Sequence, residues 1–310
     1  MIDKTKKYRL VTRSDFDGLV CAIILKELNL IDEIKFVHPK DMQDGKIEIS
    51  ARDITTNLPY VEGVGMAFDH HWSELLRIGE KKDNHIIEGD SPSAARVVYN
   101  YFGGKKSFPE ISDDMMIAVD KADAALFSMD DVLNPTGWEL LSFLMDARTG
   151  LGRFKQFRVS NYQLMMDLIG YCKNHKIDEI LTLPDVVERS EMYFEHTKLF
   201  HEQVKRCATV HDKIVVLHLK EEETIYTGNR FMVYALFPEC QISIHEMWGL
   251  NKQNTVFTVG KSIFDRSSQA NIGEIMLSYG GGGHANAGTC QIDNEKAEQI
   301  LVELIEKLKG

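Results

Sequence analysis

The chain has 310 residues, a length suited to two domains at ~100 to 200 residues each. Acidic side chains outnumber basic ones by 47 to 36, and the resulting formal charge of −11 repels long polyanions and excludes sequence-tolerant coating of duplex DNA. No apolar run reaches the ~20 residues of a membrane span, and the start MIDKTKKYRL lacks the apolar centre of a signal peptide, so a cytoplasmic protein without a membrane partner is expected. Cys21, Cys172, Cys207, Cys240 and Cys290 are scattered with no CxxC pair, and they read as buried thiols.

In chain order, the first 70 residues alternate strand and helix patterns: the strand YRLVTR, the helix GLVCAIILKELNL, then strands EIKFVH, KIEISARD and GVGMAFD. Apolar strands separated by helices or short loops predict a mostly parallel sheet with both faces covered. Helices follow over about 93–102, about 113–127, and in several pieces up to about 207. From 213 the pattern turns to the strands KIVVLHL, CQISIHEMW and TVFTVGKSI, closed by an amphipathic helix over 295–309. The expected fold class is α/β: a mostly parallel first domain over 1–185, a helical connector over 186–210, and a smaller mixed α/β domain over 211–310.

Chemistry collects at the strand ends. The strand YRLVTR runs into Asp15 and Asp17, KIEISAR is read as ending in Asp53, and GVGMAF ends in Asp69, His70 and His71. Ligands of open α/β sheets bind outside the carboxyl ends of strands, so three strand ends can serve one crevice. Carboxylates mixed with imidazole and no thiolate suit manganese, magnesium, cobalt or iron. Several carboxylates also suit paired ions, which activate water and stabilise the leaving oxygen of a phosphoryl displacement. A lone Asp at a strand end is more often the cap of the next helix, a reading that Asp17 also admits.

These residues carry a resemblance. Asp15-Phe16-Asp17-Gly18, Asp53, Asp69-His70-His71 and Asp123-Ala124-Ala125-Leu126-Phe127 resemble the ordered motifs of the DHH phosphoesterase superfamily, and Gly280-Gly281-Gly282-Gly283-His284 resembles the glycine-rich signature of its associated C-terminal domain. The resemblance implies a two-domain hydrolase of phosphoester or phosphoanhydride bonds that uses divalent metal, usually Mn2+, with Mg2+ or Co2+ as substitutes. It implies that Asp15 holds a first metal, that Asp17, His70 and Asp123 hold a second, that Asp53 bridges them, and that His71 contacts the scissile phosphate. Asp120, one helical turn before Asp123, is a rival for the last position. The family's first motif carries a metal-binding His four or two residues before its first Asp. Here those positions are Val11 and Arg13, neither of which can coordinate a cation. The first site is therefore expected to be weakened, with Arg13 free to hold a substrate phosphate.

Two further stretches read as substrate-binding. Arg148, Arg153 and Arg158 lie in an acid-free run that includes Phe154 and Phe157, suited to phosphates and bases. A solvated helix face explains that run about as well. Arg266 precedes a helix starting near Asn271, and Gly281, Gly282 and Gly283 before His284 expose backbone that a phosphate or base can approach. The first expectation is hydrolysis of short single-stranded oligonucleotides or dinucleotides, with a homodimer left open. An exopolyphosphatase or small phosphoanhydride hydrolase is the second reading. A metal-poor nucleotide-binding sensor with little turnover is the third.

Overall fold

The computed structural model of the chain describes residues 2–80 and 82–309. The chain divides into two units: Met1–Leu126 with Pro135–Glu191, and Phe127–Asn134 with Met192–Gly310. In the first, β1 (Tyr8–Arg13), β2 (Ile31–Val37), β3 (Asp53–Thr56), β4 (Met66–Asp69) and β5 (His85–Ile87) form a sheet in the order β2-β1-β3-β4-β5. All its pairings are parallel. Every position of β3 and β4 is buried, as expected of inner strands covered on both faces. The helix Phe16–Glu27 is buried at every residue from Phe16 to Leu25, so its apolar sequence reflects enclosure on all sides rather than one amphipathic stripe. Asp15 caps that helix by accepting from the Gly18 amide at 3.0 Å.

One strand differs from expectation, and the difference moves a site residue. The alternating segment KIEISARD is not a ladder strand; β3 begins at Asp53 and continues through Thr56. Ile47 and Ile49 still pack against Val11, Val37, Met42 and Leu58, which accounts for their alternation without sheet pairing. The buried run Ile54, Thr55 and Thr56 is the true inner strand. Asp53 pairs in register with Arg9 near the start of β1, whereas Thr56 pairs with Thr12 near its end. The carboxyl end of β3 is therefore Thr56 and Asn57.

The helix expected over 113–127 stops sooner, at Asp113–Asp123. Ala125 adopts φ 51°, and the Leu126 amide returns to the Lys121 carbonyl at 2.8 Å, closing the last turn. The segment Phe127–Asn134, expected within the first domain, belongs to the second unit. There Asn229 Nδ2 donates to the Val132 carbonyl at 2.9 Å, and the Phe127 ring lies 5.5 Å from that of Phe231. The expected connector is part of one long helix, Pro184–Cys207, and the division falls within it. In its first turns Arg189, fully buried, donates to the carbonyls of Asp185 and Val159 and to Asn161 Oδ1.

In the second unit, β6 (Ala208–His211), β7 (Ile214–His218), β8 (Ile242–Trp248), β9 (Thr255–Lys261), β10 (Gly282–His284) and β11 (Ala287–Ile292) form a mixed sheet in the order β10-β11-β9-β8-β7-β6. Only β7 and β8 run parallel. Alternation in β7 sends Ile214 and Val216 to one core with Ile244, Phe257 and Leu304, and Val215 and Leu217 to another with Cys207, Val233 and Tyr234. All five cysteines are free and buried.

Candidate metal and phosphate site

At the carboxyl ends of β1 and β4 the structure gathers Asp15, Asp17, His70 and His71, and the last turn of the helix Asp113–Asp123 brings Asp123 to them. Ligand atoms of Asp17, His70 and Asp123 lie within 4.8 Å of one another, a group able to hold a metal ion, and Asp69, His70 and His71 form a second such group. Each member has an anchor. Asp17 is buried and accepts from the amides of Ala94 at 3.1 Å and Ala95 at 2.7 Å, which open the helix Ala94–Tyr101. His70 Nδ1 donates to the Ser91 carbonyl at 3.1 Å, which leaves Nε2 facing Asp123 Oδ2 at 2.8 Å. Asp69 Oδ1 receives the His70 amide at 2.8 Å and His71 Nδ1 at 2.7 Å, so His71 is oriented by a buried carboxylate and keeps Nε2 for a substrate.

The electrostatics are those of a site short of positive charge. Burial raises Asp17 well above the usual carboxylate range, and Asp123 adds to the rise. Asp15 is raised by burial, partly offset by Arg13, and Asp123 again opposes its charge. Burial works against His70 too, yet Asp123 and Asp17 outweigh it and raise the imidazole to about 9. The same pairing holds Asp123 below the ordinary range despite its burial. Oxygen and imidazole donors crowded without thiolate fit a hard or borderline divalent cation, and that fit rests on the crowding itself.

Arg13 Nε stands 3.0 Å from Asp15 Oδ2. Arg148 is partly exposed, is held by Asp146 at 2.7 Å, and its charge acts on Asp15 and Asp123. Both guanidinium groups thus belong to this region of the first unit. Arg153 packs its guanidinium over Gly150. Arg158 is exposed beside Glu188 and Asp185, and the Phe157 ring lies under Arg189 at 4.3 Å. The run from 148 to 158 is therefore split among separate partners.

Two expected ligands are not brought to the group. Asp120 is engaged elsewhere, accepting from Ser93 Oγ at 2.7 Å and from Arg96. Asp53 corrects the sequence reading most sharply. It starts β3 at the amino edge of the sheet and accepts from Arg9 Nε at 2.7 Å, Arg9 Nη2 at 3.0 Å and the Ser50 amide at 2.6 Å. Burial opposes its charge, but Arg9 and Ser50 hold it below the usual range. Asp53→Asn is expected to cost about 2 kcal/mol of stability at neutral pH by weakening charge-assisted bonds while leaving Mn2+ content unchanged. Because the folded value is depressed, that stabilisation is present above the unfolded value of 3.8 and is lost as pH falls through the folded one. Thermal melts between pH 3 and 7 with metal analysis check both statements.

Sequence reasoning missed Asn57, which directly follows β3. It is buried, adopts φ 54°, and directs Nδ2 to both Asp15 oxygens at 3.5 Å, while its Oδ1 is buried without a hydrogen-bond partner. The available signal was the β-branched run before Asn57-Leu58-Pro59, a strand followed by turn residues.

In the second unit, Gly281 and Gly283 are set by packing: a Cβ would come 2.1 Å from the Thr289 carbonyl oxygen at the first and 2.3 Å from that of Ala287 at the second. Gly282 faces open space. His284 Nδ1 accepts from the Asn286 amide at 3.3 Å, and Arg266 is exposed with Nε on the Ile263 carbonyl.

No protein-family model and no curated protein matches the chain. Among solved structures it is similar to the pGpG-specific phosphodiesterase PggH from Vibrio cholerae, at 60% identity and TM-score 0.83 over 98% of this chain and 99% of that one. CDC45 from Entamoeba histolytica shares the fold at 8% identity and TM-score 0.50, over 99% of this chain and 96% of that one. RecJ from Thermus thermophilus, solved with Mn2+, aligns at 13% identity and TM-score 0.45 over 98% of this chain and 52% of that one. With Asp15, Asp17, Asp69, His70, His71 and Asp123 set around a parallel sheet, and with identity to PggH running almost end to end, the chain belongs to the DHH phosphoesterase superfamily.

Proposed function

We propose that the chain is a cytoplasmic, divalent-metal-dependent phosphodiesterase that hydrolyses short dinucleotides, pGpG first among them, to mononucleotides. The carrying observation is the Asp17, His70 and Asp123 group, built at the strand ends of a chain 60% identical to a pGpG-specific phosphodiesterase. When bound, a divalent cation, Mn2+ in this reading, would supply Lewis-acid chemistry and acidify water. Asp17, His70 and Asp123 hold it, and the Ser91 carbonyl and the amides of Ala94 and Ala95 keep two of these ligands in place. Arg13 and Arg148 bind non-bridging phosphate oxygens and orient the diester. His71, fixed by Asp69, donates from Nε2 to the scissile phosphate as charge builds on it. In the second unit, Gly282, His284 and Arg266 offer backbone and side-chain donors of the kind a nucleotide uses. No helix among the described residues is long and apolar enough to cross a membrane.

The test is product analysis with purified protein. Incubation of pGpG with Mn2+ is expected to consume one water per diester and give two GMP, and EDTA is expected to stop the reaction. Cyclic di-GMP, a long single-stranded RNA and polyphosphate are the comparison substrates. Faster hydrolysis of polyphosphate than of pGpG would replace this reading with the phosphoanhydride one.

A further inference from the structure

We infer that this centre takes a single divalent cation, and that the Arg13 guanidinium, tethered by Asp15, stands where a second cation would be needed. The inference rests on the phosphodiesterase reading above and specifies the charge arrangement of that same site.

The argument is about which atoms face inward. Amide donors alone do not bar a cation, since both Asp17 oxygens also accept amides, but Asp15 differs in meeting a guanidinium that stays charged. Its Oδ1 accepts from Gly18 at 3.0 Å, its Oδ2 meets Arg13 Nε at 3.0 Å, and Asn57 Nδ2 lies 3.5 Å from both oxygens. A cation beside Asp15 would have to displace a guanidinium of like charge and confront an amide NH2 group.

Nor do the described residues of β3 offer a free carboxylate to join two ions. A bridging ligand needs charge and two free lone-pair directions, and the residue directly after β3 is the neutral Asn57. The nearest carboxylate of that strand, Asp53, is committed to Arg9 at its other end. Val11, on the neighbouring strand, is fully buried among Val37, Met42 and Leu58 and offers no donor.

Charge balance agrees. Asp15, Asp17, Asp69 and Asp123 carry four negative charges when ionised, and one divalent cation with Arg13 and Arg148 supplies four positive ones. A second divalent ion would leave a buried excess of two positive charges, which a low-dielectric site penalises heavily. Arg13 is half-buried rather than sealed, so it can retain Asp15 and still present guanidinium N–H to a phosphate oxygen. In this arrangement it acts as a fixed cation that needs no metal supply.

The test counts Mn2+ on the full chain by equilibrium dialysis and plasma mass spectrometry, with pGpG kinetics on the same samples. The wild-type chain is expected to saturate at about one Mn2+ per molecule. Arg13→Ala is expected to keep that count at about one and to raise the KM for pGpG about tenfold. Asn57→Asp combined with Arg13→Ala supplies an anionic bridge and clears the guanidinium, and is expected to take up about two Mn2+ per chain. The wild-type count decides the matter even if the double variant misfolds. Two Mn2+ per wild-type chain with intact pGpG turnover would overturn the inference and leave the phosphodiesterase reading standing. One Mn2+ without turnover on any dinucleotide would overturn that reading while preserving the count. An unchanged KM in Arg13→Ala would remove Arg13 from the site.

Discussion

Asp123→Asn is expected to lower pGpG turnover by about 10³-fold, since a bound cation supplies several kcal/mol of transition-state stabilisation and losing about 4 kcal/mol of it gives that factor. Asp123 is the ligand whose loss should be gentlest on the fold. Its contact within the group is His70 Nε2 at 2.8 Å, and its negative charge opposes both Asp17 and Asp15. An Asn side chain keeps a hydrogen-bonding oxygen near His70 and relieves that repulsion, which offsets part of the stability lost with the His70 ion pair in the metal-free variant.

The same substitution has a titration signature. Burial alone would depress His70, and Asp123 is the leading cause of its rise to about 9. In the metal-free wild type, the stabilisation from protonated His70 is fully present below the unfolded value of 6.5 and is lost as pH rises through about 9. Asp123→Asn should bring the His70 midpoint down, with Asp17 still holding it up in part, and should flatten the fall in stability on the alkaline side. Imidazole proton NMR of the metal-free chains reads the midpoint directly. An unmoved midpoint with turnover intact would show that Asp123 does not belong to the working site.

Much of this site was legible because strand ends announce themselves. Buried apolar strands that stop at Asp15 and at Asp69, His70 and His71 can place polar groups only at the sheet's carboxyl edge, and identity plus position were enough. The helix carrying Asp123 was readable from its pattern, although it ends at Asp123 and not at 127. Asp53 shows where that logic fails. The alternation of KIEISARD looked like a half-buried strand ending in an acid, yet Ile47 and Ile49 pack from a loop. Four residues of register exchange the amino edge for the carboxyl edge, and Asp53 becomes Arg9's partner while Asn57 takes the strand end. Hydrophobic pattern reports burial, and it does not report which segment completes a ladder.

The arginine run admitted two readings from its sequence. Spacing within 148–158 shows that charges are near one another in sequence. The structure divides them among Asp146, the Gly150 turn, and Glu188 with Asp185, and Phe157 supports Arg189. The segment Phe127–Asn134 escaped attention because its membership is decided by Phe231 and Asn229, roughly a hundred residues later in the chain. No local signal carries such a partnership.

A pair of glycine substitutions should separate architecture from binding in the second unit. Gly281→Val is expected to destabilise it by about 3 kcal/mol, because a Cβ 2.1 Å from the Thr289 carbonyl oxygen meets backbone that cannot turn aside. Gly282→Val should leave stability nearly unchanged. Its Cβ would meet nothing within 4 Å, its φ lies outside the left-handed region, and Val suits an extended strand. Gly282 nonetheless sits in β10, the edge strand of its sheet, where unpaired backbone groups are available to a ligand. If the dinucleotide uses that edge, a branched side chain there should raise the KM for pGpG about tenfold, equivalent to ~1.4 kcal/mol, with Mn2+ content untouched. A small nitrophenyl phosphodiester, lacking the second nucleoside, should be hydrolysed as by the wild type. Wild-type kinetics on both substrates would reduce the glycine run to a packing device.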